Sequence, residues 1–311
     1  MAAELDGPRL AARSGRTRQL VVFLHGYSAD GNDLIEIGRV WQQVLPDAAF
    51  VSPHAPKPCG QAPVGRQWFA LTFRDPNERW IGVRQARPGL ERFIAAELRR
   101  LGLPPSALAL VGFSQGTMMA LHVGLRSAVP PAAIVGYSGL LVVPPDGDLE
   151  KFGAEISARP PVLLIHGEDD DLIPAQALFQ ATQGLAALDV AVQWHMSAGV
   201  GHGIDPEGLR HGGEFSRTPS LAAERLRDGH ICHHCMFSQN PVPLFRDISL
   251  AQTQSLRTRT LWPSRGGLAG RPRHRKGAVT HNPQSRLHNP VTPPYKLGPD
   301  AALRQVSRDR K

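Results

Sequence analysis

Short, uniformly apolar runs alternate along the first two thirds of the chain with stretches in which apolar residues recur every three or four positions. The apolar runs occupy residues 20–24, 107–111, 132–136, 161–167 and 190–195. Each is too short for a buried helix and too continuous for a strand with one wet face, so each predicts a strand covered on both sides. The helical period appears at 88–101, where Leu90, Phe93, Ile94 and Leu98 share a face opposite arginines. It recurs at 117–125, with Met118, Met119, Leu121 and Leu125, and at 174–185, where Pro174 suits a first turn. Strand and helix thus take turns, which predicts a mostly parallel α/β sheet with helices on both faces and no internal repeat. A closing helix should start at Asp205-Pro206, Asp as cap and Pro in the first turn, and carry Leu209 and Phe215. Thr218-Pro219 interrupts it, and residues 220–228, with Leu221 and Leu226, offer a substitute turn or two.

The turn between the 107–111 strand and the 117–125 helix reads Gly112-Phe113-Ser114-Gln115-Gly116. A strand running through Gly-x-Ser-x-Gly into a helix is a nucleophile elbow, a turn so tight that the serine backbone is strained and its neighbours must be small. Such a serine needs a base, a group that orients the base, and donors for the oxyanion. In this fold the chain order is serine, acid, histidine. The 161–167 strand runs into Glu168-Asp169-Asp170-Asp171, an acidic loop at a strand's carboxyl end, where active sites of such sheets gather. The strand at 190–195 leads to Gly201-His202-Gly203, a histidine held between glycines and placed to act as the base. One oxyanion donor is the amide after the nucleophile, Gln115. The other comes from the loop after the early strand, His25-Gly26-Tyr27-Ser28, and Tyr27 is the expected residue.

These pieces together resemble the small carboxylesterase, lysophospholipase and acyl-protein thioesterase family of α/β-hydrolases. The matching segments are 25–31, Ser52-Pro53-His54-Ala55-Pro56, Gly65-Arg66-Gln67-Trp68-Phe69, the elbow, His166-Gly167 through Pro174, and Gly201-His202-Gly203-Ile204. They cover most of residues 20–215. The family places its acid third after His-Gly, which selects Asp170 over Asp169 and Asp171. The resemblance implies cleavage of carboxylic esters and thioesters of short to medium chains through an acyl-serine, with lysophospholipase or acyl-protein thioesterase as alternatives. It further implies no metal and no organic cofactor, a small acyl ester or lipid as substrate, and a monomer or weak homodimer. Trp68 and Phe69 fall near the acyl pocket by the same resemblance, although a tryptophan there is equally a core residue. No separate lid domain has room; residues 59–87 are the expected flap.

Charge changes the picture only beyond residue 215. Residues 1–215 carry 18 Lys and Arg against 22 Asp and Glu, whereas residues 216–311 carry 17 against 5. The net charge of +8 therefore belongs to the tail. A catalytic domain of residues 16–215, perhaps extended to 228, should be followed by a basic Arg/Pro-rich segment too poor in apolar residues to offset chain entropy. A shifted reading frame, a genuine unstructured extension and a nucleic-acid-binding tail all suit that composition; the break inside the closing helix favours the first. Cys232-x-x-Cys235 with His230 is half of a zinc site without the second pair, and incidental residues are the simpler reading. The basic run at 271–276 lacks interleaved aromatics, so no specific nucleic-acid partner is expected. There is no 18-residue apolar stretch, hence no expected spanning helix, and the first 19 residues lack a signal peptide's apolar core, which makes the cytoplasm the expected compartment. A non-catalytic binding protein on the same scaffold is the competing class. The complete set of Ser114, Asp170 and His202 speaks for the enzyme.

Overall fold

A computed structural model describes residues 4–217 apart from 61–63, 73–74 and 76. The expectations for residues 218–311, including the basic run, the Cys232/Cys235 pair and the substitute turn at 220–228, lie outside the described residues. Nine strands occur among the described residues: β1 (Arg9–Leu10), β2 (Gln19–Leu24), β3 (Ala48–Val51), β4 (Lys57–Pro58), β5 (Arg66–Gln67), β6 (Leu108–Phe113), β7 (Ala133–Tyr137), β8 (Val162–Gly167) and β9 (Val192–Ser197). The helices are α1 (Gly31–Trp41), α2 (Glu78–Leu101), α3 (Gln115–Gly124), α4 (Leu149–Ala154), α5 (Gln176–Ala186) and α6 (Pro206–Phe215). Seven strands make one sheet in the order β1-β3-β2-β6-β7-β8-β9, parallel except for the antiparallel edge pair β1/β3. This is the α/β-hydrolase arrangement. The sheet begins at Arg9, ahead of residue 16 where the sequence marks the domain's start.

Side chains alternate across a strand, and the two cores divide accordingly. Leu20, Val22, Leu24, Leu108, Leu110, Ile134, Val162 and Leu164 face one layer with buried residues of α2, α3, α4 and α5. Val21, Phe23, Ala109, Val111, Ala133, Val135, Leu163 and Ile165 face the other, under α1 and α6. That is why the central strands read as unbroken apolar runs: both faces are covered.

Helix α2 starts ten residues before the expected start at Pro88, so that the proline lies inside it and the last third of the expected flap is helix. Proline removes one backbone hydrogen bond and crowds the preceding turn. Burial of Val83 on one side of it and of Leu90, Phe93, Ile94 and Leu98 on the other holds the helix together across the defect. Helix α6 is short but packs closely, because its inward face is glycine. A Cβ at Gly212 would fall 1.9 Å from the Tyr137 hydroxyl oxygen, and one at Gly213 3.0 Å from Trp41. Trp41 Nε1 donates to the Leu209 carbonyl at 3.1 Å and the Tyr137 hydroxyl to that of Gly208 at 3.2 Å. These contacts seat α6 on the sheet just after the loop that carries His202.

Candidate active site

Ser114 stands between β6 and α3 with φ 54° and ψ −114°, a left-handed conformation that costs a non-glycine residue on the order of 1–3 kcal/mol. The glycines on either side are there for want of space. A Cβ at Gly112 would lie 2.4 Å from the Gly116 backbone, and one at Gly116 would lie 1.7 Å from the Leu24 carbonyl oxygen. The turn is held from β7: the Ser114 amide donates to Tyr137 O at 2.9 Å, and the single Thr117 hydroxyl proton is shared between Gly112 O and Tyr137 O, each 2.9 Å from Oγ1.

Of the four consecutive acids after β8, Glu168, Asp169 and Asp171 are exposed and Asp170 is 5% exposed. Its Oδ1 accepts the Leu172 and Ile173 amides at 3.0 and 2.8 Å. Its Oδ2 lies 2.7 Å from His202 Nδ1 and 3.3 Å from His166 Nε2. Burial alone would raise the carboxyl's pKa. The hydrogen bonds from His166, His202 and the Ile173 amide outweigh it and hold the group well below the usual carboxylate range. An ionised carboxylate only accepts, so Asp170 fixes the His202 proton on Nδ1 and leaves Nε2 with its lone pair.

The His202 loop is itself fastened at three points. Ser138 Oγ donates to Gly203 O at 3.1 Å, the Asp169 amide to Val200 O at 2.9 Å, and Ser197 Oγ to Asp205 Oδ1 at 2.6 Å. The ring of His202 lies against that of Phe113, the residue before Ser114, with centroids 5.0 Å apart. The structure thus brings Asp170 and His202 into contact and lays His202 beside the elbow.

The loop after β2 comes to the same place. A Cβ at Gly26 would touch the Phe113 ring at 3.1 Å and Ser114 Cβ at 3.4 Å. Tyr27 follows, and Ser28 has φ 65° and exchanges backbone bonds with the neighbourhood of Arg66. Gln115, the first residue of α3, has an amide that no helical carbonyl can reach. Its side chain does separate work: Oε1 accepts the Trp68 amide at 2.8 Å, and Nε2 donates to Phe69 O at 2.9 Å.

Trp68 and Phe69 correct the expectation of a substrate-binding pair. They are 1% and 2% exposed and lie in the core. Trp68 Nε1 donates to His25 O at 3.0 Å, so these rings support the His25–Gly26 turn and the elbow from behind instead of offering a surface to a ligand.

His25 and His166 are structural as well as parts of their motifs: His166 Nε2 lies 2.8 Å from the Ile173 carbonyl oxygen. His25 Nδ1 faces Gly26 O at 2.8 Å and Nε2 accepts the Ala55 amide at 2.9 Å, which fixes the neutral Nδ1–H tautomer. Burial pushes its pKa down to about 4 from 6.5, and burial with the charges of Arg126, Arg87 and Arg84 takes His122 down to about 2. An unfolded chain protonates these rings first, so their contribution is complete above pH 6.5 and is lost as pH falls toward their folded values. His25 alone accounts for about 3 kcal/mol between pH 6.5 and 4. Urea midpoints should therefore drop steeply between pH 7 and 5, before most carboxylates titrate, and less steeply in His25→Asn. Equal midpoints at pH 7 and 5 would contradict the buried neutral imidazoles.

A sequence profile of α/β-hydrolases described as phospholipase/carboxylesterase matches residues 5–218. Acyl-protein thioesterase 1 of Gibberella zeae is 28% identical over 202 residues, covering 61% of this chain and 85% of that protein. Esterase YpfH of Escherichia coli is 26% identical over 193 residues, covering 62% and 79%. The crystal structure of esterase PE8 superposes with a TM-score of 0.65 at 44% identity, over 69% of this chain and 99% of that one.

Proposed function

We propose a Ser114–His202–Asp170 mechanism for this chain, which belongs to the phospholipase/carboxylesterase family of α/β-hydrolases and is a carboxylic ester hydrolase of the serine type. The observation that carries the residue assignment is the 2.7 Å contact between His202 Nδ1 and the buried Asp170 carboxylate, beside a serine with φ 54°. In the first half-reaction His202 Nε2 takes the hydroxyl proton as Ser114 Oγ attacks the acyl carbon. The amides of Tyr27 and Gln115 hold the oxyanion. His202 then gives its proton to the leaving alcohol or thiol, leaving an acyl-serine. Water repeats the sequence from the same base and frees the acid. Asp170 stays ionised throughout and steadies the imidazolium.

Small esters or lipids are the substrate class of the family. Within it, the reading is oxygen and thioesters with short to medium acyl chains. A thioesterase acting on acylated protein is the second reading, favoured by the resemblance to acyl-protein thioesterase 1 of Gibberella zeae. The same proposal makes the protein a cytoplasmic monomer or weak homodimer. Among the described residues, no helix is long and apolar enough to cross a membrane.

A series of p-nitrophenyl esters from acetyl to palmitoyl, run beside a palmitoyl-thioester peptide, separates these readings. One methylene in an apolar pocket is worth about 1–3 kcal/mol, so kcat/KM should change gradually over the short and medium esters. A thioester preference exceeding all of them would support the second reading. Failure to turn over any ester would remove both.

A further inference from the structure

We propose that His195, Glu207 and His211 form a binding site for a divalent transition-metal ion of the zinc class, tying β9 to α6 on either side of the His202 loop. His195 projects from β9, and Glu207 and His211 stand four residues apart on α6, hence on one helix face. A ring nitrogen of each histidine and a carboxylate oxygen of Glu207 all lie within 4.8 Å of one another. The two imidazoles meet at 4.7 Å between centroids, tilted by 48°, and His211 Nε2 is 3.5 Å from Glu207 Oε1.

The second observation is independent of this spacing. His195 Nε2 is buried and has no hydrogen-bond partner among the described residues. A ring nitrogen withdrawn from water without a partner is unfavourable, and a cation held by the neighbouring imidazole and carboxylate would satisfy it. Two imidazole nitrogens and one carboxylate oxygen are a donor set that zinc accepts at about 2.0–2.2 Å, leaving a fourth position for water. A tetrahedron of such bonds separates its ligand atoms by about 3.3 Å. No pair need close by more than roughly 1.5 Å; His211 and Glu207 already stand 3.5 Å apart, and the Glu207 side chain, 60% exposed, is free to adjust.

Arg210 is the competing charge. Its NH2 lies 3.4 Å from His211 Nε2 and 3.9 Å from Glu207 Oε1. A guanidinium can only donate, so in that contact His211 Nε2 is the acceptor, and a cation would have to displace the arginine to take its lone pair. NH1 of Arg210 is held by both Glu214 oxygens at 3.0 Å, so the arginine has an anchor to swing on when a cation takes its place. The strand end at Ser197 and the helix start at Pro206 are already linked by the Ser197–Asp205 hydrogen bond. A bound ion adds a second fastener to the same pair of elements without touching the reacting atoms.

The test uses the full chain carrying Cys232→Ser and Cys235→Ser, so that thiolate binding elsewhere is absent. After chelation and dialysis, this protein should bind one Zn²⁺ in equilibrium dialysis. At a hundredfold excess over Kd its Tm should rise by about 5–10 °C. His211→Ala and, separately, Glu207→Gln should weaken binding at least tenfold and abolish the Tm rise. Their metal-free ester turnover should match the parent, which shows that both variants fold. Co²⁺ in the same protein should give d–d absorption that the His211→Ala variant lacks. Failure of the parent to bind Zn²⁺, or equal affinity in His211→Ala, overturns the site.

Discussion

Ser114→Ala is expected to lower kcat for every ester the enzyme turns over by on the order of 10⁴ or more, with the fold unchanged. The hydroxyl oxygen is the only atom removed, and it makes no capping bond to α3, so the elbow keeps its Cβ, its backbone bonds and its glycine contacts. The Tm should stay within a degree or two of the parent; relief of no backbone strain is expected, because alanine meets the same penalty at φ 54°. What survives is the rate owed to binding and to the oxyanion amides, which in other triad enzymes stays well above that of water. A fluorophosphonate should label the parent at one serine and the variant at none. Undiminished turnover in the variant would place the nucleophile elsewhere and remove the mechanism at its first step.

The central strands were legible because their burial on both faces leaves an apolar run that composition alone displays. Runs at 20–24 and 107–111 became β2 and β6 with ends displaced by one or two residues. The elbow and the acid loop are legible for a related reason: each hangs on a glycine that tolerates no side chain, as the 1.7 Å approach at Gly116 and the 2.2 Å approach of the Gly201 carbonyl to Gly167 demonstrate. Helix α1 is not among the expected elements, although its start is written in Asp30-x-x-Asp33, a reciprocal cap ahead of Leu34, Ile35 and Trp41. Strands β1 and β3 leave no signal in the sequence, because two and four residues are too few to show a period. At Pro88 local propensity argues for a boundary, and packing of Val83, Leu90 and Phe93 overrides it, so α2 begins at Glu78.

The site's supports were the least legible part. The motif points to the amide of Gln115, yet its side chain also clamps Trp68 and Phe69. His166 entered only as half of a His-Gly signature, yet it faces the acid at 3.3 Å. Gln115 meets residues 46 and 47 positions away and His166 one only four away, and in neither case does a period or spacing in one sequence encode which of two buried polar groups will meet. The reversal at Trp68 and Phe69 has the same origin. An aromatic pair next to a catalytic segment looks alike on a line of letters whether its rings face a pocket or the sheet.

Asp170→Asn is expected to cost roughly 10⁴ in kcat, by analogy with other triads, while Asp169→Asn and Asp171→Asn change it no more than a few-fold. Burial already separates the three, since only Asp170 is withdrawn from solvent and bonded to histidines. Asparagine keeps the shape of the side chain, and its oxygen can go on accepting the Leu172 and Ile173 amides, so the loop should hold its course. With the oxygen so committed, the NH₂ group must face His202 Nδ1. Two donors cannot share that hydrogen bond, so the imidazole moves its proton to Nε2, the nitrogen that has to accept from Ser114. The variant therefore fails by presenting the wrong tautomer, not by unfolding, and the Tm distinguishes the two. A ring NMR signal for a protonated Nε2 in Asp170→Asn, against Nδ1 in the parent, would show the switch directly. A crippled Asp171→Asn with an active Asp170→Asn would instead mean that the acid sits one residue further along and that the 2.7 Å contact is not the one the chemistry uses.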